Sequence, residues 1–141
     1  MSFAPTTHKN KTVAAFLALV MGWAGVHRVL LRGSRDKWAL LHLASVPASA
    51  LVLFLAPHAN IFYQLLPVIV SFLAGLLEGL VIGLIPDEKF DGRYNAGSNR
   101  QSASNWPLAL ILVAMMLVGT IALIATISRL FDLLYTGGAY G

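Results

Sequence analysis

The stretch from Lys9 to Lys37 decides the fold, and it reads K-N-K-T-V-A-A-F-L-A-L-V-M-G-W-A-G-V-H-R-V-L-L-R-G-S-R-D-K. It begins with two lysines, continues with fifteen uncharged residues from Thr12 to Val26, and ends in a turn rich in arginine. A second apolar run starts at once, at Trp38. The pattern predicts two membrane helices that fold against each other through a short, strongly positive turn.

The composition of the whole chain is that of a membrane protein. Of its 141 residues, 57% are hydrophobic and only 11% are charged, and the mean hydropathy is +0.74. Soluble domains carry about a quarter charged residues. Apolar windows of roughly 20 residues recur, the length that a helix needs to cross about 30 Å of hydrocarbon. We therefore predict an all-α, multi-pass integral membrane protein, expected in a bacterial inner (plasma) membrane.

Four transmembrane helices are predicted, and short connections arrange them as a small antiparallel bundle. Their predicted ranges are residues 11–31, 37–56, 61–85 and 106–130. The predicted organisation is a polar N-terminal tail (1–10), a first helical hairpin (11–56), and a second hairpin (57–141) with a polar loop at 86–105. The turn Pro57-His58-Ala59-Asn60 is too short for anything except an antiparallel neighbour. Asn105 and Pro107 are a typical N-cap and first-turn residue for the last helix.

The distribution of basic residues predicts the topology. Four crossings place both termini on one side of the membrane, together with Lys9, Lys11 and Arg129, while the other side carries the remaining seven Lys and Arg. By the positive-inside rule, both charged loops face the cytoplasm and both termini lie outside. The net charge of +4 then reflects loops attracted to anionic lipid head groups, and we expect no nucleic-acid partner.

Several kinds of catalytic and metal site have no counterpart in the sequence. The chain has no cysteine, which excludes disulfides, thiolate metal sites and a cysteine nucleophile. Its four histidines lack the spacing of metal ligands. Neither a Gly-x-Ser-x-Gly nor a His-Glu-x-x-His motif is present. We expect no catalytic residue, no cofactor and no bound metal, and hence a protein that is not an enzyme.

Small residues recur on the predicted membrane helices at the spacing of close helix contacts. Ser71, Gly75, Gly79 and Gly83 follow one another at intervals of four, and the first helix contains Gly22 and Gly25. Such ridges allow helix backbones to approach closely in lipid, where burial of apolar surface gives no gain. Whether the partner helix belongs to the same chain or to a second copy stays open at this stage.

Glu78 stands beside this ridge, inside an apolar run. It lies seven residues before Ile85, roughly 10 Å into the membrane, and His42 lies roughly 8 Å in from Lys37. Arg28 ends the first helix on the same side. Because a carboxylate in hydrocarbon is costly unless it is paired or protonated, we predict that Glu78 pairs with Arg28, or failing that bonds to His42. The acid then either ties helices together or takes part in ion or proton movement.

The segment K-N-K-T-V-A-A-F-L-A-L, followed by Gly22, Gly25 and His27-Arg28, resembles the TM-two domain family. The resemblance covers roughly residues 8–56. It implies a pair of transmembrane helices whose turn faces the cytoplasm, in a family linked in animals to signalling, and it implies no enzymatic activity. The family usually has an aromatic pair and Leu-Gly after the arginine, where this chain has Val29-Leu30-Leu31-Arg32-Gly33. The basic turn comprises His27, Arg28, Arg32, Arg35 and Lys37.

Two functions fit these observations. The first is a non-enzymatic interaction, assembly or regulatory module, which acts through its Gly-rich helix faces and basic cytoplasmic turn as a homo-oligomer or with a membrane-protein partner. The second is a small transporter or channel subunit that uses Glu78. A pathway needs polar residues through the full bilayer, and the outer halves of the third and fourth helices offer little beyond Gln64, Thr120 and Thr126. We therefore favour the module.

Overall fold

The computed structural model describes residues 7–140, so the first six residues of the predicted polar tail lie outside it. The described chain is helical, with no strand among these residues. Its helices are α1 (Lys11–Met21), α2 (Val26–Arg32), α3 (Lys37–Leu55), α4 (Ile61–Leu84), α5 (Asp87–Tyr94) and α6 (Trp106–Thr136). A short 3-10 helix, Gly22–Ala24, follows α1.

Three helices are long and apolar enough to cross a membrane. They are α3, α4 and α6, with 19, 24 and 31 residues. The prediction of an all-α protein is therefore confirmed, and three of its predicted helices have the length and apolarity of membrane spans. The N-terminal apolar helix, Lys11–Ala24, is shorter than the other three, and the predicted number of four spans does not follow from the structure.

The prediction of one continuous helix over residues 11–31 is wrong, because the chain reverses at Gly25. This glycine has a φ angle of +70°, a left-handed conformation that costs glycine little and other residues much more. Beyond it, α2 runs back along α1, and the Lys9 ammonium donates a hydrogen bond to the Leu31 carbonyl. The segment from Lys9 to Arg32 is therefore a helical hairpin whose two ends lie at the same end of the bundle.

Helix α4 is the centre of the bundle and contacts α1, α3 and α6. The predicted small-residue ridge faces helices of the same chain. Gly75 packs on the backbone of Gly22, where an added Cβ would lie 2.6 Å from the carbonyl oxygen. At Gly79 an added Cβ would lie 2.5 Å from the Ala18 Cβ, and at Gly83 it would lie 2.3 Å from a Leu112 methyl. These close approaches fix α1 and α6 against α4.

Helix α5 forms within the segment that was predicted as a polar loop, and side chains tie this loop to the N-terminus. The Asn95 carboxamide oxygen accepts a hydrogen bond from the Lys9 amide at 2.7 Å. Lys11 is only 5% exposed and its Nζ lies 2.9 Å from Asp87 Oδ1. Asp91 accepts bonds from Asn95 and Ser102, which lower the pKa of its carboxyl to about 2.

These contacts change the predicted separation of charges. The predicted topology placed Lys9 and Lys11 at the opposite end from the 86–105 loop, whereas the structure places them beside it, because the chain reverses at Gly25. One end of the bundle therefore carries nine of the ten Lys and Arg residues. The other end carries Arg129, near the C-terminus of α6.

We predict that Gly75→Ala destabilises the protein by about 1–3 kcal/mol, the usual cost of overpacking, because its new Cβ meets the rigid backbone of Gly22. Thermal unfolding in mild detergent measures the effect. The matched control is Gly119→Ala on α6, where an added Cβ meets only a Leu76 methyl at 3.7 Å. Equal melting temperatures for the two variants would contradict the close contact.

Candidate functional site

Helices α2, α3 and α4 meet around the Glu78 carboxylate. Its Oε1 accepts a hydrogen bond from Arg28 Nη1 at 2.8 Å, and its Oε2 lies 2.8 Å from His27 Nε2. His42 Nε2 lies 3.5 Å from the same Oε2. The structure therefore brings together Arg28, His42 and Glu78, as predicted from their depths along the helices. It adds His27 as a further partner of Glu78.

Arg28 is shared between two carboxylates. Besides Glu78, its Nε donates to Asp36 Oδ2 at 2.7 Å. Asp36 also caps α3 by accepting a hydrogen bond from the Ala39 amide. The hydrogen bond from Arg28 lowers the pKa of the Asp36 carboxyl. One guanidinium therefore connects the middle of the bundle to the start of α3, and so to the basic turn.

His27 is a partner of Glu78 that sequence reasoning did not find, since it was assigned only to the basic turn. The reversal at Gly25 places it two residues further on, at the start of α2, where it is completely buried. Its Nδ1 has no hydrogen-bond partner, while its Nε2 faces the carboxylate. A buried N–H without a partner is costly, so we assign the neutral tautomer in which Nε2–H donates to Glu78.

A second hydrogen-bonded chain links α3 and α4 to the reversed segment. Ser71 Oγ lies 2.7 Å from the Trp23 carbonyl oxygen and 2.7 Å from His42 Nδ1. A carbonyl only accepts, so the single hydroxyl proton goes to Trp23. His42 Nδ1–H must then donate to Ser71, which turns His42 Nε2 toward Glu78. Polar groups thus hold the 3-10 helix Gly22–Ala24, just before the reversal at Gly25, against α4.

The other residues of the predicted basic turn lie at the surface. Arg35 and Lys37 are exposed. The Arg32 side chain is 44% exposed and its Nη1 lies 3.9 Å from Asp36 Oδ1. Among residues 7–140 there is no group of three or more His, Asp or Glu side chains that could hold a metal ion.

An open groove of about 730 Å³ lies between α3 and α4, beside the ionic cluster. Trp38, His42 and Glu78 line one end, and Val52 and Tyr63 line the other. The wall between these ends is apolar apart from Ser45 and Ser71. The Glu78 side chain, which is 27% exposed, is thus accessible from the groove.

The chain was compared with known proteins. No protein-family model matches it, and no curated protein or solved structure gives a significant match. The likeness of residues 8–56 to the TM-two domain family therefore stays a prediction.

We predict that Glu78→Ala lowers stability by about 1–3 kcal/mol, because Arg28 loses one of its two carboxylates and the buried His27 Nε2–H is left without a partner. Glu78→Gln should cost less, since it keeps the shape and can still hydrogen-bond. The combined Glu78→Ala/Arg28→Ala variant should lose less than the sum of the two single losses. Unfolding in detergent by heat or denaturant provides the values.

The control for this cycle combines Glu78→Ala with Arg129→Ala, a cation at the far end of the bundle, and these two effects should add. Additive effects for Glu78 and Arg28 as well would show that the two side chains do not interact energetically.

Proposed function

We propose that the chain is a three-span membrane protein with a re-entrant N-terminal hairpin, in place of the four spans predicted from the sequence. Helices α3, α4 and α6 cross the bilayer, and the α1–α2 hairpin enters and leaves it on one side. From Lys11 to Ala24 the hairpin reaches roughly 21 Å into the membrane. A break in the α-helix is tolerated at such depth where protein covers it, and Ser71 satisfies the Trp23 carbonyl here.

The charge distribution supports one orientation. Nine Lys and Arg residues at one end against one at the other favour a cytoplasmic N-terminus, basic turn and 86–105 loop. The C-terminal end of α6 then lies outside the cytoplasm. This proposal revises the predicted extracytoplasmic N-terminus and keeps the predicted C-terminus. A bacterial inner (plasma) membrane remains the proposed location.

The proposed activity is that of a non-enzymatic interaction module that acts through its basic cytoplasmic face. The observation that carries this proposal is the position of Arg28, which bonds Glu78 in the bundle and Asp36 in the turn. The turn is thereby held in a fixed place at the membrane surface. Its exposed cations, with those of α5 and the following loop, are Arg32, Arg35, Lys37, Lys89, Arg93 and Arg100. Such a cluster attracts anionic lipid head groups.

Contacts with other membrane proteins would use a different surface from the predicted glycine ridge, since that ridge packs inside the chain. Helix α6 offers the largest outward apolar face, because only 11% of its most apolar window is buried. We propose that a second copy or a membrane-protein partner contacts this helix.

The alternative, a transporter or channel subunit, is favoured by the exposure of Glu78 and His42 to the α3–α4 groove. A pathway would need polar groups along the whole groove. Beyond Ser71 the lining is Ala48, Val52, Leu66, Pro67 and Val70, with Tyr63 at the end. The groove is thus polar at one end only, which supports the module over the pathway.

Topology reporters test the proposed arrangement of spans. A reporter fused before Met1 should read cytoplasmic, one inserted near Gly97 should also read cytoplasmic, and one fused after Gly141 should read extracytoplasmic. The N-terminal fusion is decisive, because four spans place it opposite to the Gly97 insertion. An extracytoplasmic N-terminal reading would refute the re-entrant hairpin.

Lipid retention tests the proposed basic face. In mixed anionic and zwitterionic nanodiscs, Arg35→Gln should weaken anionic lipid retention about fivefold, since each cation near the surface contributes about 1 kcal/mol. Native mass spectrometry counts the retained lipids, and the difference should shrink at high salt. Arg129→Gln removes the same charge at the other end and should change nothing. Equal losses in both variants would contradict the proposal.

A further inference from the structure

We propose that the groove between α3 and α4 binds a single-chain amphiphile with a protonated amine, whose ammonium group contacts Glu78 and His42. The apolar chain would extend along the groove toward Tyr63. This inference rests on the proposed membrane placement of α3 and α4, and it adds a ligand class to the module.

The dimensions of the groove suit one extended chain. Its lining runs from Glu78 to Tyr63 on α4, fifteen residues or roughly 22 Å. The groove is open along one side and is lined mainly by apolar side chains over this length, so one extended hydrocarbon chain can lie along it.

The lining suits an apolar chain with one polar end. Ala44, Ala48 and Ala74 make the middle of the groove concave, because their small side chains leave space between the two helices. Ligand sites are characteristically apolar with a few convergent polar groups. Here those groups converge at the end that carries His42 and Glu78.

The charges at that end favour a cation. Arg28 supplies one positive charge to two carboxylates, Asp36 and Glu78, and the exposed Arg32 is 3.9 Å from Asp36. Glu78 is the only Asp, Glu, Lys or Arg residue among those that line the groove, and its side chain is 27% exposed. A carboxylate that faces an apolar groove is stabilised by a cation, so this end of the groove favours a cationic group.

The Glu78 carboxylate favours an ammonium group in particular. Its Oε1 accepts a hydrogen bond from Arg28 and its Oε2 lies 2.8 Å from His27 Nε2, and a carboxylate has further lone pairs. An ammonium has three donors, so it can bond this carboxylate at the end of the groove that His42 and Glu78 line.

Photo-crosslinking tests this assignment with the full chain in phosphatidylcholine nanodiscs. The probe is hexadecylamine that carries a diazirine in the middle of its chain. We expect labelled peptides from α3 and α4 around Ala48 and Val70. Unlabelled hexadecylamine should compete at least tenfold better than hexadecanol or hexadecanoic acid of equal chain length.

Two variants test separately the binding of the amine group and the binding of the hydrocarbon chain. Glu78→Gln should remove the preference for amine over alcohol. Ala48→Phe fills the middle of the groove away from the ionic cluster, and it should reduce labelling at least tenfold while the melting temperature stays close to that of the wild type. Leu117→Phe on the exposed face of α6 is the control and should label normally.

The possible contrary results are distinct. Equal labelling of α6 and the groove, or equal competition by amine and alcohol, would overturn the proposal in favour of ordinary lipid contact. Because the chain has no cysteine, Ala48→Cys tests for another occupant. Efficient crosslinking of this cysteine between two copies would assign the groove to a second chain. Failure of these tests with the topology reporters as expected would refute the ligand alone and leave the proposed module intact.

Discussion

The sharing of the Arg28 guanidinium between Glu78 and Asp36 is the interaction on which the arrangement of α2, α3 and α4 depends. A carboxylate on an apolar helix is strongly disfavoured unless a cation meets it. Arginine suits this position because its planar fork offers separate donors to separate acceptors, here Nη1 to Glu78 and Nε to Asp36. Arg28 therefore pairs with the Glu78 carboxylate on α4 and fixes Asp36 at the start of α3.

This ionic contact requires the backbones to be close, and the glycines make that possible. Gly22 and Gly75 bring the end of α1 directly onto α4. Gly25 then reverses the chain beside His42 and Ala39, so that His27 and Arg28 point at Glu78. A bulkier residue at any of these positions would separate the helices. Helix packing and electrostatics thus depend on each other, since the small residues set the distance across which the charged groups bond.

Much of this architecture could be predicted from the sequence, and the failures have physical causes. Length and apolarity identified α3, α4 and α6. Counting residues from the helix ends gave Glu78 and His42 similar depths, on the same side as Arg28, and so predicted that these three side chains meet. The reversal at Gly25 was missed because a glycine in an apolar run is equally typical of close helix packing. The indication was available: fifteen uncharged residues are few for a full crossing. His27 was missed for the same reason, since its direction depends on the reversal.

Helix α5 was missed because its mixture of acids and bases is also typical of a solvated loop. Its order of charges is helical, however, with Asp87 and Glu88 in the first turn and Arg93 in the last, as the helix dipole favours. Its position depends on contacts that are distant in sequence, chiefly Lys11 with Asp87 and Asn95 with Lys9. No local pattern predicts such contacts.

The two lysines at the start of the chain show how the reversal and the charge distribution are connected. Beside a crossing helix with an extracytoplasmic N-terminus, Lys9 and Lys11 would oppose the positive-inside rule. Beside a hairpin they bind the carbonyl ends of two helices, Lys9 at Leu31 in α2 and Lys11 at Ile85 after α4. Cations are favoured there because helix C-termini carry partial negative charge. The lysines therefore help to close the hairpin, and the proposed re-entrant arrangement satisfies the positive-inside rule because α1 and α2 return to the end of the bundle at which they began.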